Sequence, residues 1–279
     1  MAFKDILVAL TSYPEPTPVS VVDSAVSVAA ALGAHLAALS CETHVQIPGH
    51  FLAGSLVNIP GIIAGETAKS RKNAEDLLAA FDTAAERAGV VRETILQKCS
   101  TIEFPDMLVD YARLRDLTIV PVPESYDQWY AEAVIFGSGK PTIVLPETRP
   151  SRPFELETVA LAWDFSRTAA RAVADALPIF EKAKKVRVVT VVNDKLIDTK
   201  HSAEELAKNL SRHGIDVVLD KIDANGRPTG EVLESYALSY TIDLLVMGAY
   251  GHSRLREFIL GGATKRLLSK PPLPILFSH

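Results

Sequence analysis

The two halves of this chain carry the same order of apolar strands and amphipathic helices, and this repetition restricts the fold more than any other feature. Four strands can be predicted in each half, at 6–10, 34–39, 116–120 and 142–145 and again at 159–163, 186–192, 243–247 and 273–277. Continuous apolar strands that alternate with helices are typical of a parallel sheet covered on both faces. The sequence therefore predicts two tandem α/β domains.

A proline-rich, charged segment separates the halves. Pro146, Pro150 and Pro153 lie within it, and such a composition favours a semi-rigid linker. We therefore predict an N-terminal domain over residues 1–146 and a C-terminal domain over residues 154–279.

The first half is the longer one. The offset between matched positions falls from 153 residues, for Thr11 and Asp164, to 127 residues, for Asp116 and Asp243. We place the 26 extra residues at 41–69, where prolines and glycines interrupt short apolar runs. An insertion of this kind is typical of a lid, a binding loop or an interface.

Composition excludes several classes of partner. The net charge is −5 and the lysines and arginines are dispersed, so the chain lacks the basic patch of a nucleic-acid-binding protein. No apolar run approaches the ~20 residues needed to span a bilayer. The two cysteines, Cys41 and Cys99, are too few for a disulfide framework and fit a reducing compartment. We therefore expect a cytoplasmic protein that binds neither membranes nor nucleic acid.

A glycine-rich loop follows the apolar run at 244–247. Two residues separate Gly248 from Gly251, and nine separate Gly251 from Gly261. Glycine permits positive φ angles and lets backbone N–H groups approach a ligand, and a helix that begins near Gly262 offers its N-terminal N–H groups to an anion. Because parallel sheets bind ligands at their carboxyl edge, the loop predicts a nucleotide or phosphate site. The alternative is that these glycines only make turns.

The glycine spacing, together with Asp164, Phe165 and Ser166 after the first strand of the second half, resembles the signature of the universal stress protein family. The resemblance covers the chain as two tandem domains. It implies an α/β fold in which each domain has a five-stranded parallel sheet, in the order 3-2-1-4-5, with helices on both faces. It also implies an ATP site, with or without Mg²⁺, in members that keep the glycine motif.

The same resemblance implies a set of ligand-binding residues in the second half. Asp164 would lie at the adenine edge with Val191 beside it, and Gly248 and Gly251 would border the ribose and phosphates. Backbone N–H groups at 261–263 would hold the phosphate chain. The complete predicted set is Ala162, Trp163, Asp164, Val191, Met247, Gly248, Gly251, His252, Gly261, Gly262, Ala263 and Thr264.

One departure falls inside the motif. The family usually has serine or threonine directly after the third glycine, whereas this chain has Gly262. The loss of one neutral hydrogen bond is worth about 0.5–1.5 kcal/mol, so ATP binding should weaken without being abolished. The hydroxyl of Thr264 can compensate in part.

Other polar residues of the loop have simpler interpretations. His252 and Ser253 are adjacent, so their side chains diverge, and contact with phosphate or solvent is favoured over an acid/base pair. Arg254 and Arg256 could clamp a terminal phosphate. Trp163 could stack on adenine, and it could equally pack between helices.

The first half departs much further from the motif. The alignment places Pro121 at the position of Gly248, Glu124 at that of Gly251, and Thr11 at that of Asp164. Proline has no N–H group, and a carboxylate would repel phosphates. We therefore expect the first half to be structural and to pair with the second half as a pseudo-dimer.

The sequence thus predicts a stress-response protein that binds ATP in its C-terminal domain and has a sensing or regulatory role. Without a Walker lysine motif, we assign no catalytic residue and expect at most slow ATP hydrolysis. A homo-dimer is expected because the last strand would leave an apolar sheet edge.

Two alternatives remain open. One is a protein-interaction module that binds no nucleotide. The other is a weak ATPase or metal-binding protein that uses the N-terminal insertion, where Cys41, His44 and His50 are suitable zinc ligands. Structural zinc sites normally have two paired ligand blocks, and the second block is missing from this sequence.

Overall fold

The computed structural model describes residues 2–44, 59–123, 129–148, 153–193, 202–249, 251–252 and 259–279. The elements of the first half are β1 (Asp5–Leu10), α1 (Val19–Leu32), β2 (His35–His44), α2 (Ile59–Arg87), β3 (Arg92–Ser100), α3 (Phe104–Arg113), β4 (Leu117–Val122), α4 (Trp129–Gly137) and β5 (Thr142–Pro146). The elements of the second half are β6 (Thr158–Ala162), α5 (Arg167–Phe180), β7 (Lys185–Val192), α6 (Ala203–Ser211), β8 (Val217–Asp223), α7 (Thr229–Ser239), β9 (Leu244–Gly248), β10 (Gly251–His252), β11 (Ile259–Leu260), α8 (Gly262–Ser269) and β12 (Ile275–Ser278).

Ten strands form one continuous sheet in the order β3-β2-β1-β4-β5-β12-β9-β6-β7-β8. Within each half the neighbouring strands are parallel, and each half has the order 3-2-1-4-5. The two halves meet at β5 and β12, which pair antiparallel with Ile143 opposite Leu276. The predicted α/β fold and strand order are thereby confirmed, and the two predicted five-stranded sheets are halves of a single sheet.

The last strand of the chain is not a sheet edge. β12 pairs with β9 on one side and with β5 on the other, so its backbone groups are used inside the chain. The reason given above for expecting a homo-dimer is therefore wrong. Strand β5 of the first half occupies the place beside β12.

Side chains alternate along the strands and build two apolar layers. In β1, Ile6 and Val8 belong to one buried cluster, and Leu7 and Ala9 belong to the other. Helices α1, α2, α5 and α6 contribute to the first cluster, whereas α3, α4, α7 and α8 contribute to the second. Both clusters contain buried residues from both halves, so the core continues across the joint.

Equivalent aspartates connect the starts of the first and fourth strands in each half. The Oδ2 atom of Asp116 accepts the N–H groups of Lys4 and Asp5 at 2.8 and 3.1 Å. The Oδ2 atom of Asp243 accepts the N–H groups of residues 157 and 158 at 3.1 and 3.0 Å. The same side chain thus ties the same two strands in both halves, which agrees with the offset of 127 residues used to align them.

Both ends of the predicted insertion at 41–69 have regular structure. Residues 41–44 belong to β2, and residues 59–69 belong to the first turns of α2. Residues 45–58 lie outside the described part of the chain, as do Glu124 and the linker residues 149–152.

The two cysteines are joined. Cys41 of β2 and Cys99 of β3 form a disulfide bond with a Cα–Cα distance of 6.2 Å. The sequence did not predict this bond. The zinc alternative loses Cys41 as a ligand, and His50 lies outside the described residues. In the described ranges, no three His, Cys, Asp or Glu side chains form a group that could hold a metal ion. No helix within those same ranges is both long enough and apolar enough to cross a membrane.

Candidate functional site at the carboxyl edge of the second half

A cavity opens where β6, β7 and β9 end. It encloses about 700 Å³ when the open solvent at its mouth is counted. Its lining residues are Ala162, Trp163, Asp164, Ser166, Ala169, Val189, Val191, Thr229, Leu233, Met247, Gly248, Gly261, Ala263 and Thr264. The cavity therefore lies at the edge of the sheet where parallel α/β proteins bind their ligands.

Nine of the twelve residues predicted for the ligand site line this one cavity. They are Ala162, Trp163, Asp164, Val191, Met247, Gly248, Gly261, Ala263 and Thr264. Gly251 and His252 instead form β10, which pairs antiparallel with β11, and Gly262 is the first residue of α8. Ser253, Arg254 and Arg256 lie outside the described residues.

A tight turn after β6 forms one rim of the cavity. The Oδ1 atom of Asp164 accepts the N–H group of Ser166 at 3.0 Å, and Phe165 between them has a φ angle of 63°. Ser166 is the N-cap of α5, and its Oγ atom accepts the N–H group of Ala169 at 3.1 Å. These bonds hold the exposed Asp164 carboxylate and the start of α5 in a fixed relation at the rim.

Gly248 is required by packing as well as by its position in the motif. A Cβ atom on Gly248 would lie 2.5 Å from the carbonyl carbon of Thr168 and 2.6 Å from the nitrogen of Ala169. Contacts this short with backbone atoms cannot be relieved by rotating a side chain. The end of β9 therefore touches the first turn of α5, and only glycine allows that approach.

Helix α8 begins at the opposite rim. Gly261 is its N-cap, and Gly262, Ala263 and Thr264 form its first turn. A Cβ atom on Gly262 would contact nothing within 4 Å, so this turn is sterically open. Helix geometry leaves the N–H groups of a first turn without carbonyl partners inside the helix, and an anion is the favoured partner for such groups.

Contacts with α7 hold α8 in place. The Arg266 guanidinium bonds to Glu231 at 3.1 Å and to Glu234 at 3.0 Å. A Cβ atom on Gly230 would lie 3.2 Å from the Cα atom of Ala263, so the two helices are in close backbone contact. The start of α8 is thus positioned by the fold itself, without a ligand.

The wall of the cavity between these rims is apolar. Ala162, Val191, Met247 and Ala263 belong to the cluster on the α7/α8 face of the sheet. The ring of Trp163 instead packs against the cluster on the other face and lies 5.4 Å from the ring of Phe165. Of the two interpretations of Trp163, packing between elements agrees with this arrangement.

Five lining residues were not in the predicted set. They are Ser166, Ala169, Val189, Thr229 and Leu233. Ser166 was named only as part of the signature that follows the first strand of the second half. Thr229 could have been found from the sequence, because it is the first residue of α7 and helix starts at this edge of the sheet face the ligand.

The described lining carries few ionisable groups. Asp164 is the only ionisable side chain among the lining residues, and the other polar groups are the hydroxyls of Ser166, Thr229 and Thr264. This described lining therefore contains no histidine, cysteine or lysine that could act as a base or nucleophile. Attraction of an anion by these residues would come from backbone N–H groups.

In the first half, a buried side chain fills the position equivalent to Ala263. Strand register and the starts of α4 and α8 place Tyr130 where Ala263 stands and Trp129 where Gly262 stands. Tyr130 is 7% exposed, and its hydroxyl donates to the carbonyl oxygen of Pro121, the residue at the place of Gly248, at 2.9 Å. A large buried aromatic ring thus takes the space that alanine leaves open in the second half.

Comparisons with known proteins agree with this architecture. A sequence model described as "Universal stress protein family" matches residues 155–279. A curated relative, the universal stress protein Slr1230 of Synechocystis sp., is 44% identical over 46 residues, which are 16% of this chain and 16% of the relative's own length.

Two solved structures are similar over nearly the whole chain. A universal stress protein from Archaeoglobus fulgidus has a TM-score of 0.71 at 15% identity, with 98% of this chain and 97% of that chain covered. A candidate universal stress protein from Pseudomonas aeruginosa has a TM-score of 0.59 at 15% identity, with 99% and 93% covered. At these identities the likeness is one of fold.

Proposed function

We propose that this chain is a tandem universal stress protein and that its C-terminal part, where residues 155–279 match the model of that family, binds ATP as a regulatory ligand. The observation that supports the proposal most directly is the cavity between Asp164 and the first turn of α8. The residues 1–146 would then form a structural partner domain, and 154–279 the ligand-binding domain.

The two ends of the cavity differ in chemistry, and this favours a nucleotide over a simple anion. The Ala162, Val191 and Met247 wall is apolar and suits a planar base. The start of α8 presents backbone N–H groups, which suit phosphates. A ligand that satisfies both ends carries an apolar ring at one end and an anionic group at the other.

A regulatory role follows from the chemistry of the lining. Histidine, cysteine and lysine are missing from the described lining residues, and Asp164 is its one ionisable group, so we expect ATP to be held with at most slow hydrolysis. Mg²⁺ would enter with the phosphates of ATP, and we assign it no protein ligand. We place the protein in the cytoplasm, where ATP would be its natural ligand.

The experiment is a calorimetric titration with MgATP of the wild-type protein and two tyrosine variants. Ala263→Tyr places in the second half the aromatic side chain that fills the first half at Tyr130. Ala170→Tyr makes the same change on the exposed side of α5 and is the matched control. We expect binding by the wild type and the control, and a loss of affinity of at least about tenfold for Ala263→Tyr.

Thermal unfolding separates this proposal from the interaction-module alternative. A ligand at 100 times its dissociation constant stabilises the native state by about 2.7 kcal/mol. No shift of the unfolding temperature with millimolar MgATP, or equal affinity of all three proteins, would contradict ATP binding at this site.

A further inference from the structure

The Cys41–Cys99 disulfide links two neighbouring parallel strands near their carboxyl ends. In the register of β2 and β3, Cys99 stands opposite Thr43, two residues beyond Cys41. Cys41 lies on the face of the sheet covered by α3 and α4, because it follows Leu39 of that face by two residues. Cys99 lies on the same face, because its register partner Thr43 follows Cys41 by two residues. β3 is the outermost strand, so the bond fixes a sheet edge.

The second half shows that this pair of strands forms without such a bond. Matching registers place Val191 of β7 at the position of Cys41 and Ala224, directly after β8, at the position of Cys99. β7 and β8 nevertheless pair over seven positions in the same register. The ladder between the outer strands therefore does not depend on a covalent bridge, and a dithiol form of the first half can keep the same topology.

The bond occupies the first half's counterpart of the ligand cavity. Val191 lines the cavity in the second half, and Cys41 stands in its place. Tyr130 fills the opposite end of the same counterpart, at the position of Ala263. The positions of Val191 and Ala263, which line the cavity in the second half, thus carry a disulfide-bonded cysteine and a buried tyrosine in the first half.

We propose that Cys41 and Cys99 form a reversible redox centre in the N-terminal half, which an external dithiol reduces without unfolding the protein. The two cysteines are the only ones in the sequence, so the couple has two defined states and no competing pairing. In a reducing compartment a pair of this kind is regulatory or catalytic rather than a permanent structural link. That last argument rests on the cytoplasmic location proposed above, whereas the remainder is independent of ATP binding.

The external dithiol supplies both the electrons and the protons that reduction of the Cys41–Cys99 bond requires. One of its thiolates attacks the sulfur of Cys99, the more exposed residue at 6% against 2% for Cys41, and the bond between the two sulfurs breaks as Cys41 leaves as a thiolate. The second thiol of the reductant then attacks the mixed disulfide and releases Cys99. The protein gains two electrons and two protons, and the reductant becomes a disulfide.

The start of α3 is the element best placed to respond. Cys99 is followed by Ser100, whose N–H and hydroxyl groups both bond to the Glu103 carboxylate at 2.9 and 2.8 Å. Glu103 directly precedes α3. Two thiols need a non-bonded separation of about 3.5–4 Å in place of a covalent bond, so reduction separates the sulfur atoms and removes the constraint on the Ser100 end of β3. Greater motion of this end would be passed through Glu103 to α3, the counterpart of the helix that lines the cavity in the second half.

The test compares oxidised and reduced protein in native buffer. Excess dithiothreitol is added, and accessible thiols are counted by maleimide labelling and mass spectrometry while circular dichroism monitors the fold. We expect two labelled cysteines per chain with an unchanged far-ultraviolet spectrum, and full recovery of the disulfide with oxidised glutathione. Hydrogen exchange should increase at 92–103, and the unfolding temperature should fall by roughly 5–15 °C.

The control is the double variant Cys41→Val with Cys99→Ala, which copies the residues of the second half. It should fold, should unfold near the temperature of the reduced wild type, and should not respond to dithiothreitol. A disulfide that is reduced only after the protein unfolds would overturn the proposal and show a permanent structural link. A protein whose two thiols never pair under oxidised glutathione would overturn it as well.

Discussion

The end of β9 and the start of α5 are in backbone contact, since a Cβ atom on Gly248 would lie 2.5 Å from the carbonyl carbon of Thr168. Gly248→Ala must therefore move one of these elements, and we expect it to lower the free energy of unfolding by about 1–3 kcal/mol. Urea denaturation of the protein without ligand measures this effect. A loss of stability in the absence of ATP would show that this glycine of the motif has a structural role besides any role in binding.

Gly262→Ala is the matched control, because a Cβ atom there has no neighbour within 4 Å. Alanine loses less backbone freedom on folding than glycine, so this variant should be as stable as the wild type or slightly more stable. Equal destabilisation by the two substitutions would contradict the packing argument.

Gly262→Ser tests the departure from the family motif. Serine restores a hydroxyl at the first residue of α8, where the family usually has one. One additional neutral hydrogen bond of about 0.5–1.5 kcal/mol should tighten MgATP binding by roughly 2- to 13-fold. Calorimetric titration of Gly262→Ser beside Gly262→Ala separates the hydroxyl from the added carbon, and weaker binding by the serine variant would contradict the expectation.

Asp116 and Asp243, which connect the starts of two strands in each half, should contribute unequally to stability. Asp243 is 8% exposed, and its removal leaves two N–H groups of the β6 start without their acceptor. We expect Asp243→Ala to lower the free energy of unfolding by about 2–4 kcal/mol and Asp243→Asn, which retains an acceptor oxygen, by less. Asp116→Ala should cost less than Asp243→Ala because water reaches Asp116. Urea denaturation curves of the three variants decide the order.

Glu147 should make stability depend on pH. Burial raises the pKa of this carboxyl group from its ordinary value of 4.5 to about 7, and its backbone N–H group is fixed by the carbonyl of Val122. Because the folded pKa lies above the unfolded one, Glu147 contributes stability below pH 4.5 that is lost as the pH rises through 7. Solvent reaches part of the side chain, so the loss should be about 1–3 kcal/mol.

Glu147→Gln removes this titration. The variant should be more stable than the wild type at pH 8 and should show a smaller decline in unfolding temperature between pH 5 and 8. The exposed Glu15→Gln is the control and should keep the wild-type slope. A wild-type profile that does not decline in this interval would contradict the role given to Glu147.

The strand order could be predicted because it depends on local patterns and on a resemblance that both halves share. The joint between β5 and β12 was expected only as a pairing of domains, since strand periodicity specifies which face is buried but not which edge is used. The Cys41–Cys99 bond was missed because the cysteines are 58 residues apart and meet only through the register of β2 and β3. Tyr130 could not be matched to Ala263 until the starts of α4 and α8 were known.

The continuity of the core across the joint predicts that the two halves unfold together. Ile143 and Leu276 are fully buried opposite each other, and one apolar cluster contains both. The chain has two tryptophans, Trp129 in the first half and Trp163 in the second. Fluorescence of Trp163→Phe therefore reports on the first half, and fluorescence of Trp129→Phe reports on the second.

We expect Trp163→Phe and Trp129→Phe to give single urea transitions, each coincident with the circular-dichroism transition of the same protein. Leu276→Ala in either background should lower the free energy of unfolding measured from that transition by about 2–5 kcal/mol, although only one half carries the substitution. Leu238→Ala, at a side chain 61% exposed, should leave it nearly unchanged. A Leu276→Ala protein in which the Trp129 signal keeps its original midpoint while the Trp163 signal moves would show that the halves are independent folding units.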